Sequence, residues 1–96
     1  MDIEEHFFTA AAEADFQSHF ERYGDPIYFA IDQAIELLRR HPKSGPVYDE
    51  PVRRLVIRDT PLGLFYAVHG RRIAVVAILD LRQDPASIAK RLDAGG

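Results

Sequence analysis

Arginine is the residue type that offers most to a chemical reading of this chain. Arg53, Arg54 and Arg58 fall in one β-branched segment, Arg71 and Arg72 in the next turn, and Arg82 after the last apolar run, with Lys90 and Arg91 beyond it. A guanidinium presents a planar fork of donors that fits phosphates and carboxylates. The plain alternative is a solvated face with ion pairs to acidic helices. Other chemistry has less to build on. His6, His19, His41 and His69 are scattered without ligand spacing, so no metal site is expected. The neighbouring carboxylates Glu4-Glu5 and Asp49-Glu50 read as solvated surface. The only serines are Ser18, Ser44 and Ser87, and no Ser/His/Asp set forms around them. The chain has no Gly-rich phosphate loop, and no cofactor is expected. It has no cysteine, which excludes disulfides, thiolate chemistry and cysteine-based metal centres.

The elements that must position these arginines follow from apolar spacing. Phe8, Ala12, Phe16, Phe20 and Tyr23 recur at steps of four and three, one face of a helix. A short strand around Ile3 and Phe7-Phe8 is expected before it. Gly24-Asp25-Pro26 reads as a stop and a start, with Gly24 left-handed, Asp25 an N-cap and Pro26 in the first turn. Ile27, Ile31, Ala34, Ile35 and Leu38 stripe a second helix that ends at Pro42. So short a break predicts an antiparallel helical hairpin. Lys43-Ser44-Gly45-Pro46 is a turn-rich connection. Val52–Arg58, Leu62–His69 and Arg72–Leu79 then read as strands. Gly70-Arg71 between the last two suits a type II′ hairpin. The run Ile73–Leu79 is apolar on both faces, so that strand should be central or covered on both sides. Asp84-Pro85 opens a short helix through Leu92, and Gly95-Gly96 should fray. The expected fold is α+β: a helical hairpin on an antiparallel sheet of three to four strands, with a short C-terminal helix.

Size and charge bound the rest. Ninety-six residues read as one domain, residues 1–96. The formal net charge is −3. Residues 1–36 hold nine acids and one base, a charge of −8, whereas residues 37–96 hold six acids and eleven bases, a charge of +5. An acidic helical face and a basic sheet face are the expectation. The acidic N-terminus is unlike a signal peptide, and no apolar run approaches the roughly 18 residues that cross a bilayer. A cytoplasmic protein without membrane contact is expected.

Several of these segments, in this order, resemble the RelE/ParE superfamily of type II toxin–antitoxin toxins. They are Ile35-Glu36-Leu37-Leu38-Arg39-Arg40-His41-Pro42, the Gly45-Pro46 turn, Val52-Arg53-Arg54-Leu55, Leu64-Phe65-Tyr66-Ala67-Val68, Ile73–Leu79 and Arg82-Gln83-Asp84-Pro85. The resemblance implies an α-hairpin on a curved antiparallel sheet. It implies a cognate antitoxin as partner, with operator DNA contacted only through that antitoxin. Its RelE-like branch cleaves mRNA on the ribosome, and its ParE-like branch inhibits DNA gyrase. Many members carry His-Gly-Arg-Arg-Asp-Pro after the last strand; here the stretch is Asp80-Leu81-Arg82-Gln83-Asp84-Pro85, and no tyrosine or histidine follows His69. The missing proton-transfer groups, and a net charge poorly suited to ribosomal RNA, favour the ParE-like reading. The alternatives are an RNA endonuclease using Arg54, Arg82, His69 and Tyr66, and a non-toxic interaction module of the same fold. On any of them Arg53, Arg54, Arg58, Arg72, Arg82, Lys90 and Arg91 are the expected partner- or target-binding cations.

Overall fold

The structure is a computed structural model that describes residues 2–94. The elements run β1 (Glu5–Phe8), α1 (Ala10–Tyr23), α2 (Asp25–Arg40), β2 (Val47–Asp49), β3 (Val52–Val56), β4 (Leu62–His69), β5 (Arg72–Asp80) and α3 (Pro85–Asp93). The expected fraying at Gly95-Gly96 lies outside the described residues. The helical hairpin, the three main strands after it and the short C-terminal helix follow the sequence reading. Helix α1 starts where the Thr9 hydroxyl accepts the Ala12 N–H at 3.2 Å. It stops where Gly24 takes φ +75° and donates its N–H to Phe20 O at 2.7 Å. A side chain at that φ would be strained, so glycine suits both the end of α1 and the start of α2. Asp25, expected as the N-cap of α2, is instead its first helical residue, with Gly24 at the cap; Asp84 is the N-cap of α3 but makes no side-chain capping bond.

The sheet departs from expectation in three ways. It has five strands in the order β1-β5-β4-β3-β2. Strand β1 pairs with β5 in parallel, so the sheet is mixed rather than antiparallel. Strand β2, in residues to which the sequence reading gives no element, forms an antiparallel outer edge on β3. Phe8 belongs to β1 rather than α1, although its ring still meets Phe16 edge-on at 6.3 Å. Strand β3 ends at Val56, which leaves Arg58 in the following turn. The β4–β5 turn agrees with the type II′ reading: Gly70 has φ +61° and Arg71 is not left-handed.

The sheet buries both faces. Leu62, Leu64, Tyr66, Ile73, Val75 and Ile78 pack with Ile27, Ile31, Ile35 and Leu38 of α2 and Ala12 of α1. Phe65, Ala77, Leu79 and Ile88 of α3 form a smaller core on the other side. This two-sided cover is why β5 lacks alternation. A bulge sharpens the point. Phe65 is opposite Ala77 while Tyr66 is opposite Val75, so Val76 is the extra residue. Before it the odd positions Ile73 and Val75 face the main core; after it the even position Ile78 does.

Strand β1 covers β5 only as far as Val75. Helix α1 satisfies the edge beyond it. Thr9 N donates to Val75 O at 3.0 Å, Asp15 Oδ2 accepts from Ile78 N at 3.0 Å, and His19 Nε2 donates to Ile78 O at 2.8 Å. Unpaired sheet edges invite association, and here polar side chains one helical turn apart close the gap.

Candidate functional site

Tyr66 and Arg53 are occupied in holding a turn. The Tyr66 hydroxyl donates to Pro42 O at 2.7 Å and accepts from Gly45 N at 3.0 Å. Arg53 Nη1 donates to Gly45 O at 2.9 Å. Burial pushes the Tyr66 phenol above its ordinary value, against the lowering effect of the Gly45 N–H. A buried phenol that both donates and accepts within its own chain is placed as a structural group, not as a proton shuttle.

Three other candidates, and Arg71 beside them, sit in ion pairs. Arg72 is bonded to Glu5 across the parallel β1–β5 pair. Arg91 Nη2 meets Asp15 Oδ2 at 2.8 Å, linking α3 to α1. Arg71 approaches Glu4 at 3.8 Å. Three of the four ion pairs among the described residues therefore join an acid of the first 36 positions to a base of the remainder. The expected separation into an acidic and a basic face is corrected accordingly: part of the polarised charge neutralises itself on folding.

Arg82 forms the fourth pair, and with Asp80 rather than with an N-terminal acid. Its Nε and Nη2 reach the two Asp80 oxygens at 3.0 and 2.7 Å, and its backbone N–H adds a third bond at 2.8 Å. These bonds hold the Asp80 carboxyl at about 2, below its ordinary value of 3.8. A lowered carboxylate contributes stability above its unfolded value and loses it as pH falls through the folded one. Asp80→Asn should therefore lower the thermal midpoint at pH 7, and the difference from wild type should close as pH falls from about 4 toward 2. A difference that persists unchanged at pH 2 would show that the pair is not what Asp80 supplies.

The cations left without an acidic partner among the described residues include Arg54, Arg58 and Lys90. Arg54 lies over the Tyr48 ring at 5.9 Å, and Tyr48 in turn meets Phe65 edge-on at 5.3 Å. Lys90 is exposed on α3. Arg58 lies beside the flank of α2, where Ala30, Gln33, Ala34 and Leu37 face Leu55 and Val56 across a groove of about 220 Å³. Leu37 and Val56 in its lining are 43% and 57% exposed. The groove mixes apolar side chains with two polar ones, Gln33 and Arg58.

The four nuclease candidates do not converge. Leu62 pairs with Asp80 at one end of β4 and His69 with Arg72 at the other, which puts Arg82 and His69 roughly 23 Å apart along the strands. Tyr66 faces the α1–α2 side of the sheet, whereas Arg54 pairs with Phe65 and lies on the α3 side. Catalytic acid–base groups must reach one scissile bond within hydrogen-bond distance. No group of three or more potential metal ligands forms among the described residues, and none of their helices is long and apolar enough to cross a membrane.

The sequence reading gives no role to Thr9, Asp15 and His19; Asp15 and His19 stand four apart on α1 among other polar residues of that helix, so spacing alone does not single them out. The fold and the groove are accompanied by a direct family match. Residues 7–85 match the family model described as ParE toxin of type II toxin-antitoxin system, parDE.

The chain belongs to the ParE toxin family.

A solved structure titled "Chromosomal ParDE TA system from P. aeruginosa" is similar in fold, with a TM-score of 0.57 and 18% sequence identity over 79% of this chain and 92% of that one. No curated protein sequence matches the chain. The Asp80–Arg82 clamp stands where the resemblance implies a histidine-bearing stretch. Membership makes a cognate antitoxin the expected class of partner.

Proposed function

We propose that this chain is a cytoplasmic toxin that acts by binding DNA gyrase rather than by cutting RNA, and that a cognate antitoxin neutralises it. One observation carries the choice: Arg54, Arg82, His69 and Tyr66 are dispersed over both faces and both ends of the sheet, while the family match is to ParE. Binding needs no convergent proton-transfer groups; it needs exposed surface. Of the expected binding cations, Arg54, Arg58 and Lys90 remain for target or antitoxin contact, whereas Arg53, Arg72, Arg82 and Arg91 are already engaged within the chain. The groove beside α2 suits the apolar face of an amphipathic antitoxin helix, with Arg58 meeting an acid at its rim.

The purified chain, added to gyrase and relaxed plasmid, should block the appearance of supercoiled product, and a translation extract given the same amount should keep its mRNA intact. Arg58→Glu with Val56→Asp should weaken antitoxin capture about a hundredfold. Normal supercoiling together with fragmentation of ribosome-bound mRNA would replace this reading with the endonuclease one. No growth effect at all would leave a non-toxic module of the same fold.

A further inference from the structure

A second cavity, about 390 Å³, opens on the other flank of α2, between it, α1 and the end of β1. Its walls are Phe8, Phe16 and Tyr28, its floor is Ile31 and Ile35, and its two polar groups are the carboxylates Glu13 and Asp32. Phe16 meets Phe8 at 6.3 Å with the planes at 77°, and meets Tyr28 at 6.2 Å with the planes at 64°. The rings thus stand at steep angles around one space instead of stacking shut. Tyr28 is 49% exposed. No lysine or arginine lines the cavity. Neither Glu13 nor Asp32 forms an ion pair among the described residues. The first 36 residues carry a charge of −8, and the ion pairs described above leave these two acids uncompensated.

We infer that this cavity receives the arginine side chain of a protein partner, with the guanidinium between the aromatic rings and the two carboxylates. Ring faces attract a cation, and the attraction grows when the cation is partly desolvated. A neutral apolar occupant would strip water from Glu13 and Asp32 and give nothing back. A guanidinium serves both surfaces, because its plane stacks on a ring while its edge donates to carboxylates. The aromatic surface continues past the mouth, where Phe29 meets Tyr28 edge-on at 5.6 Å and is 62% exposed. A free amine would leave that ring bare, whereas residues flanking an arginine in a peptide would cover it. Tyr28 and Asp32 lie on the opposite helical flank from Gln33 and Leu37, so the site is separate from the Arg58 groove and opposite to it in charge. It stands whether or not the gyrase reading does.

The test uses the full chain, labelled with ¹⁵N, and three probes: a pentapeptide with one arginine between leucine and alanine neighbours, the same peptide with citrulline, and N-acetylarginine amide. The arginine peptide should shift amides around Phe16, Tyr28 and Asp32 in a saturable way. Citrulline, equal in shape but neutral, should bind about tenfold more weakly, as should N-acetylarginine amide. Glu13→Gln and Asp32→Asn, both at exposed positions, should each weaken the arginine peptide several-fold with unchanged circular dichroism and thermal midpoint. Equal binding of the citrulline peptide, no effect of the two substitutions, or no shift at millimolar peptide would overturn the inference. Equal binding of N-acetylarginine amide would overturn the protein partner in favour of a small cation.

Discussion

Asp15→Ala is expected to cost about 3 kcal/mol of folding stability, from the lost hydrogen bonds and the orphaned charge. For a domain of this size that lowers the thermal midpoint by roughly 12–20 °C. The carboxylate accepts Ile78 N–H at 3.0 Å and Arg91 Nη2 at 2.8 Å, with side-chain exposures of 18% for Asp15 and 26% for Arg91. Removing it orphans a strand-edge donor and a half-buried guanidinium whose Nη1 already has no partner. The ion pair itself is not the whole source of the effect. Burial is the largest influence on the Asp15 carboxyl and raises it, outweighing Ile78, Arg91 and His19, which all lower it. A raised carboxyl favours folding when protonated, so this group's contribution declines as pH rises through the carboxylate range. Asp15→Asn with Arg91→Met should accordingly stay within about 1 kcal/mol of wild type, because the acceptor for Ile78 is kept and both buried charges go. Chemical denaturation of the two variants beside wild type checks this. A loss under about 1 kcal/mol for Asp15→Ala would mean that α1, β5 and α3 do not meet through this carboxylate.

The second large effect concerns the turn before β2. Tyr66→Phe should cost about 2 kcal/mol, because Gly45 N–H and Pro42 C=O lose their only bond to a side chain while the ring still fills its place. Gly45→Ala should cost about 2–3 kcal/mol by overpacking. A Cβ there would stand 2.9 Å from Arg54 O and from Tyr66 Cε1 and Oη. The carbonyl belongs to β3 and cannot retreat without breaking strand pairing. Gly63→Ala provides the contrast. Its Cβ would meet only the Leu81 side chain, Cδ2 at 2.8 Å, which can rotate away, so less than about 1 kcal/mol is expected. The Tyr66 and Gly45 changes act on one turn and should not add. Equal thermal midpoints for the two glycine variants would refute the role assigned to the turn.

The local elements were legible because each is written in a short-range pattern. The α2 stripe, the left-handed Gly24, the Gly70-Arg71 turn and the unalternating β5 depend on neighbours within a few positions. The register of β5 was not, since the bulge at Val76 exists only against β4. Strand β1 could be suspected from Phe7-Phe8, but its parallel pairing brings Glu5 next to Arg72, sixty-seven positions away. Strand β2 is too short and too exposed to show a period.

The functional residues divide along the same line. The sequence by itself determined the inventory: many arginines, no cysteine, no tyrosine or histidine after the last strand, and a strongly acidic first third. It also carried enough of the family pattern to name the superfamily. Only the tertiary structure decided which arginines are free, because an ion pair depends on where chain-distant carboxylates arrive. Folding ties Arg53 to a turn, Arg72 to Glu5, Arg82 to Asp80 and Arg91 to Asp15, and leaves Arg54, Arg58 and Lys90 without acidic partners. It likewise decided that the nuclease candidates stay apart, since strand alternation and strand length set face and distance, and neither can be read until the pairing is known.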